Sequence, residues 1–224
     1  MLAQTAVSSQ SWKASKLAPV NAVPFADSIH VTGSPMPFDR NEEIYGESEP
    51  AEFIYQVISG AVRTYKILND GRRQICAFHL PGDVFGLEAG EEHSFSAEAV
   101  GQSTILVVKR SIVTALAARD PAVSRKLWDL TACELQKMQD HVMLLIKSAQ
   151  ERVASFLLQM AQRMPLANEI ELPMSRQDIA DYLGLTIETV SRTLTQLETR
   201  ATIALPSSRR IVLRNRGLLD RLNA

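Results

Sequence analysis

The sequence predicts an α+β protein: an antiparallel β-structure, then one long helix, then a helix-turn-helix closed by a small hairpin. Three observations predict it. Short apolar runs separated by turn residues fill positions 28 to 109. An uninterrupted helical stretch with a heptad repeat follows from Ala122 to Ala149. Nearer the C-terminus, two short amphipathic segments flank Gly184.

Residues 1 to 27 are mostly Ser, Ala, Val, Gln and Pro without periodicity and are expected to form a mobile tail. Strands are expected at 28–32, 52–58, 61–67, 73–78, 94–99 and 104–108. Turn chemistry separates them at Ser59-Gly60, Asn69-Asp70-Gly71, Pro81-Gly82-Asp83 and Gly101-Gln102. This spacing predicts a sandwich or barrel. A short helix over Ser111 to Ala118 stops near Pro121.

The long helix carries Trp128, Leu135, Val142 and Ala149 on one heptad line and Thr131, Met138 and Leu145 on the other. Steps of three and four sustained in this way predict a two-stranded coiled coil, hence a homodimer. Leu127, Leu144 and Ile146 lie off the seam and are expected to face the chain's own domain. A further amphipathic helix, Glu151 to Arg163, turns Val153, Phe156, Leu157 and Met160 inward and ends at Met164-Pro165. A short strand at 170–172 precedes the helix-turn-helix. Ser175 with Asp178 makes a capping box for the first helix, and Thr186 caps the second. Strands at 202–205 and 210–213 around Pro206-Ser-Ser208 predict a wing, and a short helix closes the chain from Gly217. The expected divisions are a tail to residue 27, a β-domain over 28–120, a dimerisation helix over 121–149 and a winged helix-turn-helix over 150–224.

Composition narrows the function classes. With 46% hydrophobic residues and 22% charged, the chain can bury a core. It has no run of about 18 apolar residues to span a membrane, and no apolar stretch follows Lys13 and Lys16 as a secretory signal requires. A cytoplasmic protein is expected. Cys76 and Cys133 are far apart, which fits structural thiols rather than a metal site or disulfide framework. His79 and His93 have neither metal-ligand spacing nor a carboxylate motif, so an enzyme is not expected. The net charge of −1 is uneven. From Lys147 onward there are 11 basic and 8 acidic residues, and before it 13 and 17. An acidic body therefore carries a mildly basic module, as a nucleic-acid reader would.

The candidate reading face is Glu188, Ser191 and Arg192, spaced i, i+3, i+4 on the second helix, opposite Ile187, Val190, Leu194 and Leu197. A glutamate accepts from cytosine N4, an arginine bonds guanine O6 and N7, and a serine bonds a base or touches a thymine methyl. Candidates for DNA backbone contacts are Ser175, Arg176 and Gln177 at the start of the first helix, Thr186 and Thr189 at the start of the second, and Arg209 on the wing. The candidate dimer seam is Trp128, Leu135, Met138, Val142 and Leu145.

These residues carry a likeness. Phe53-Ile-Tyr-Gln-Val-Ile-Ser-Gly60, Asn69-Asp-Gly-Arg-Arg-Gln74, Phe78-His-Leu-Pro-Gly-Asp-Val-Phe-Gly86, Arg176-Gln-Asp-Ile-Ala-Asp-Tyr-Leu-Gly184 and Glu188-Thr-Val-Ser-Arg192 resemble the motifs of the Crp/Fnr transcription regulators, in the FixK branch. The likeness spans roughly residues 36 to 218. It implies a β-roll of the cyclic-nucleotide-binding type, a homodimer on double-stranded DNA, and a TTGAT-N4-ATCAA-type palindrome. It also implies activation of microoxic or anaerobic respiration or nitrogen-fixation genes. Ile187 stands where cAMP-responsive relatives carry a second base-reading arginine, which points to the Fnr/FixK type of site. Contact with RNA polymerase is implied for the hairpin tip Leu68 to Arg73 and for the loops Glu47 to Glu52 and Glu88 to Glu92.

Three departures bear on regulation. Phe95 stands where the family's phosphate-binding arginine is expected, amid Glu88, Glu91 and Glu92, so no cAMP binding is expected. The N-terminal stretch lacks the cysteines of an iron–sulfur cluster, so no such cofactor is expected. The alternative is a regulator responsive to haem or a small effector, drawing on His79, His93 or Cys76. Finally, Ala201 stands where relatives turn into the wing on a glycine, so a different path is expected there.

Overall fold

The computed structural model describes residues 33–164 and 168–223. The expected tail and the strand at 28–32 lie outside the described residues. Eight strands form the N-terminal half: β1 (Ser34–Phe38), β2 (Glu43–Tyr45), β3 (Phe53–Ser59), β4 (Val62–Ile67), β5 (Arg73–His79), β6 (Val84–Phe85), β7 (Ser96–Ala99) and β8 (Ser103–Lys109). They make two four-stranded antiparallel sheets, ordered β1-β8-β3-β6 and β2-β7-β4-β5. β1, β2 and β6 were not expected. They are short, and β1 carries Pro35 and Pro37, which suits only a sheet edge. Between the sheets lie Tyr45, Tyr55, Val57, Val62, Phe85, Ala97, Ala99 and Ile105.

Helices α1 (Arg110–Ala117) and α2 (Pro121–Leu145) follow. Asp120 caps α2 by accepting from Ala122 N at 2.8 Å, with Pro121 at the first helical position. Val123, Leu127 and Leu130 seat α2 against Ile54, Leu106 and Val108 of the first sheet. The expected single helix to Ala149 is broken at Ile146. Ser148 and Glu151 form a capping box that starts α3 (Ala149–Arg163): Ser148 N donates to Glu151 Oε2 at 2.7 Å, and Glu151 N to Ser148 Oγ at 3.4 Å. Ala149 therefore leaves the heptad seam. Ile146, expected to face its own domain, is instead 74% exposed at the break.

The C-terminal half contains β9 (Glu169–Glu171), α4 (Arg176–Leu183), α5 (Ile187–Thr199), β10 (Ile203–Ala204), β11 (Arg210–Leu213) and α6 (Arg216–Asn223). A three-stranded sheet of order β10-β11-β9 makes the wing. The inward residues of α3, among them Phe156 and Leu157, meet Ile179, Leu183, Val190, Leu194 and Leu197 in one core. That core continues into the β-roll through Ala61, Ile75, Phe78, Leu80 and Val100. The reading half and the roll are thus packed as one body.

α5 ends in a Schellman motif: Ala201 N donates to Glu198 O at 2.8 Å and Thr202 N to Leu197 O at 2.9 Å. Ala201 sits at φ +53°, the left-handed conformation a glycine would take. The expected different path into the wing is therefore not found; the alanine follows the glycine's path against its own preference. Ala201→Gly should stabilise the protein by about 0.5–1 kcal/mol, the αL penalty less glycine's extra entropy. Urea unfolding measures this, and an unchanged or lower stability would count against the strain.

Candidate nucleic-acid interface

Local chemistry builds the helix-turn-helix. Ser175 Oγ accepts from Asp178 N at 3.1 Å and donates to Asp178 Oδ2 at 2.7 Å, and Ser175 N donates to the same Oδ2 at 3.0 Å. Gly184, at φ +61°, turns the chain out of α4. Thr186 Oγ1 accepts from Thr189 N at 3.2 Å and starts α5. Val190, Thr193, Leu194 and Leu197 of α5 are buried. The opposite face presents Glu188 and Arg192 to solvent, with Ser191 half-buried beside them. The three expected base readers therefore share one outward face.

Ile187 corrects the sequence reading. Expected on the apolar face, it is 37% exposed, because the first turn of α5 projects beyond the core. It stands beside Glu188 in the first turn of α5. The Glu188 carboxyl is held below its usual range by its own backbone N–H and the Thr186 hydroxyl, so it is an anionic acceptor at neutral pH. Arg176, expected on the DNA backbone, reaches across the motif. Its Nη1 donates to Ser191 Oγ at 3.4 Å. The Ser175 hydroxyl is engaged twice by Asp178, and the Gln177 amide donates to Asp181 Oδ1 at 2.6 Å. Thr186, Gln177 and Arg209 are exposed, and Thr189 is half-buried. The outward stripe also runs further than expected. Arg192, Thr195, Gln196, Thr199 and Arg200 line an open crevice of about 340 Å³. The helical spacing of Thr195 and Thr199 from Arg192 was the available signal.

In the single chain Trp128 is 75% exposed, Leu135 60%, Val142 58% and Met138 39%. Leu145 is half-buried, with Cδ2 packed over Gly184 of the turn. Sequence reasoning missed Arg152. Its Nε donates to Lys147 O at 2.8 Å and its Nη1 to Leu183 O at 2.8 Å, tying the end of α2 to the end of α4.

Sequence reasoning also missed a cluster between the roll and α4. Asp178 Oδ1 accepts from Arg63 Nη1 at 3.0 Å and from Arg73 Nη2 at 2.6 Å. Arg73 Nε donates to Asp181 Oδ2 at 2.9 Å. Arg63 Nη2 donates to Glu98 Oε1 at 2.8 Å and Asn41 Oδ1 at 3.1 Å. Burial opposes ionisation of Asp178, but the Ser175 hydrogen bonds and the two guanidiniums outweigh it and hold the carboxyl below its usual range. Arg73, placed by sequence at a free hairpin tip, is thereby engaged.

In the roll, the segment from Glu88 to Ser94 is tied down by side-chain hydrogen bonds. Ser94 Oγ donates to Glu88 Oε2 at 2.9 Å. Arg110 Nη1 donates to Gly90 O and its Nη2 to Glu88 O, each at 2.6 Å. His93 stacks on Tyr45 with ring centroids 3.6 Å apart, and Tyr55 stacks on Phe85 at 5.2 Å.

A winged helix-turn-helix with a polar, charged outer face on its second helix defines a DNA-reading protein, here built onto a β-roll. Comparison with known proteins agrees. Residues 35–120 match the cyclic nucleotide-binding domain and residues 151–222 the Crp-like helix-turn-helix domain. The chain is 54% identical over 205 residues to the nitrogen fixation regulation protein FixK of Azorhizobium caulinodans, covering 89% of this chain and 83% of that one. It is 45% identical over 175 residues to FixK of Rhizobium meliloti, covering 78% and 80%. The structure of FixK2 from Bradyrhizobium japonicum superposes with a TM-score of 0.84 at 54% identity, covering 87% of this chain and 98% of that one. The chain belongs to the Crp/Fnr family. It is a DNA-binding transcription regulator and not an enzyme. Among the described residues, no helix is long and apolar enough to cross a membrane.

Asp178→Ala should cost about 3 kcal/mol: about 1 from the lost cap and the rest from buried guanidiniums losing a partner. The pH dependence has a definite sign. With its folded pKa below its unfolded value, Asp178 contributes fully above the ordinary carboxylate range and loses that contribution as pH falls below about 4. Urea unfolding between pH about 6 and 3 should give a steeper acid loss for wild type than for Asp178→Ala. Equal slopes would count against the cluster.

Proposed function

We propose that this chain is a homodimeric activator that reads a TTGAT-N4-ATCAA-type palindrome, with Glu188, Ser191 and Arg192 on the bases. Arg176, Gln177, Thr186, Thr189 and Arg209 hold the DNA backbone, with Ser175 beside them as the cap of α4. One observation carries the reading: a single chain turns both a charged reading face on α5 and an apolar heptad seam on α2 to solvent. A two-fold axis along the seam would cover the apolar stripe and present two reading helices to two half-sites. The hairpin tip expected from Leu68 to Arg73, with Leu68 exposed and Arg73 turned to α4, is a surface for RNA polymerase in a cytoplasmic transcription complex. The names of the FixK relatives support control of nitrogen-fixation genes or of the microoxic or anaerobic respiration allied to it.

The reading needs neither cyclic nucleotide nor iron–sulfur cluster. A cyclic phosphate needs a free cation. Here Arg110 is spent on backbone carbonyls, Phe95 stands where the family's arginine would be, and Glu88 faces the segment. The residues present do not fit that ligand. The two buried imidazoles on which a haem would draw are used in packing: His79 stacks on Phe85 and pairs with Thr64, and His93 stacks on Tyr45. Activity is then set by the abundance, turnover or modification of the protein.

A gel shift on TTGAT-N4-ATCAA with no added effector should show binding by wild type. Arg192→Ala and Glu188→Ala should each cost about 1–3 kcal/mol per subunit and relax specificity at one base pair. Absence of wild-type binding would overturn the reading. Leu135→Asp combined with Val142→Asp should yield monomers in sedimentation that no longer bind the palindrome. If they remain dimeric, the seam lies elsewhere.

A further inference from the structure

The reading half touches the roll through a shared apolar core, through Arg163 of α3, which donates to Phe78 O at 3.1 Å and pairs with Asp83, and through two arginines that the roll extends to α4. The shared apolar core holds it there, but apolar burial is non-directional and tolerates rotation. The guanidinium forks are directional: each fixes a plane and two bond vectors. Arg63 lies on β4, an inner strand of its sheet, and is braced from behind by Glu98 and Asn41. Arg73 opens β5 and lies over the Tyr65 ring, 5.8 Å from its centroid. Both end on one carboxylate of α4, and Arg73 grips a second, Asp181, one turn further along the helix. The neighbouring Gln74 donates its amide to Tyr182 O of the same helix at 3.4 Å. Three residues of the roll, one on β4 and two on β5, thus donate to the helix that precedes the reading helix, and none of them lies on the reading face.

We infer that Arg63 and Arg73 are positioning residues for DNA reading: through Asp178 and Asp181 they fix the angle at which the α4–α5 unit is carried on the roll, and so the half-site spacing that a dimer accepts. The inference rests on the palindromic dimer proposed above. In a two-fold dimer the roll and α2 are fixed to the axis, so any swing of α4 on the roll changes the separation of the two reading helices twice over. A rigid clasp makes one spacing favourable. A loosened one lets the heads adapt to several. The recognition of bases within a half-site belongs to α5 itself and is independent of the clasp.

The test is a set of palindromes with three, four, five or six base pairs between half-sites, together with single base changes within a half-site. They are titrated with wild type, Arg73→Gln and Asp181→Asn. Asp178 is left intact because it also caps α4. Mass by sedimentation and thermal melting are recorded alongside. Wild type is expected to favour the four-base spacer. Each variant, still dimeric, should lose about tenfold of that preference, within the usual range of coupling between sites, while its penalties for base changes stay as in wild type. Variants that keep the wild-type spacer profile overturn the inference. So do variants that weaken equally on every spacer and melt earlier, which is the pattern of a merely structural role. A wild type that binds none of the palindromes overturns the functional reading, and the inference with it.

Discussion

One buried carboxylate holds the two halves of this regulator in register. Asp178 caps α4 through Ser175 with one oxygen and receives Arg63 and Arg73 with the other. The group that starts the helix-turn-helix is thus the group by which the roll grips it. Such a cluster is costly to desolvate, and replacing it with apolar residues would often be neutral or better for stability alone. What the ions add is direction. Arg152 does comparable work at the other end of α4, where it joins the carbonyls of Leu183 and Lys147. The first helix of the motif is therefore pinned at both ends, by arginines from two different parts of the chain.

Legibility in the sequence followed the range of the interactions. The capping box at Ser175, the turn at Gly184 and the cap at Thr186 are formed by residues within a few positions of each other, and all were readable. So were the longer strands, whose burial alternates or runs continuously. The capping box at Ser148 was equally local, yet the heptad register ran across it and masked the break at Ile146. Strands β1, β2 and β6 escaped because two to five residues carry too little period. The clasp joins positions 105 to 115 residues apart, and no local pattern encodes such a pairing. Among the site residues, the reading face was legible because a helix repeats every 3.6 residues. What Arg176 and Ser175 do with their polar atoms was not, since it depends on side-chain geometry across two elements.

Aromatic side chains crowd the interior of the roll. Its sheets are ordered β1-β8-β3-β6 and β2-β7-β4-β5, over residues that match the cyclic nucleotide-binding domain. The space between them holds Tyr45, Tyr55, Phe85 and His93, with His93 stacked on Tyr45, Tyr55 stacked on Phe85 and the two tyrosines tilted together. Aromatic rings contribute both area and a preferred geometry, so such a filling stiffens the roll. A stiff roll is also a better base for a directional clasp, since forks hold an angle only as well as the strands that carry them.

The prolines of β1 have a consequence of their own. At high protein concentration an open sheet edge is a template for other chains. Pro35 and Pro37 remove two backbone donors from the outermost strand of the first sheet, and such an edge recruits no neighbour by strand addition. Copies crowded together can then approach along that side without joining their sheets.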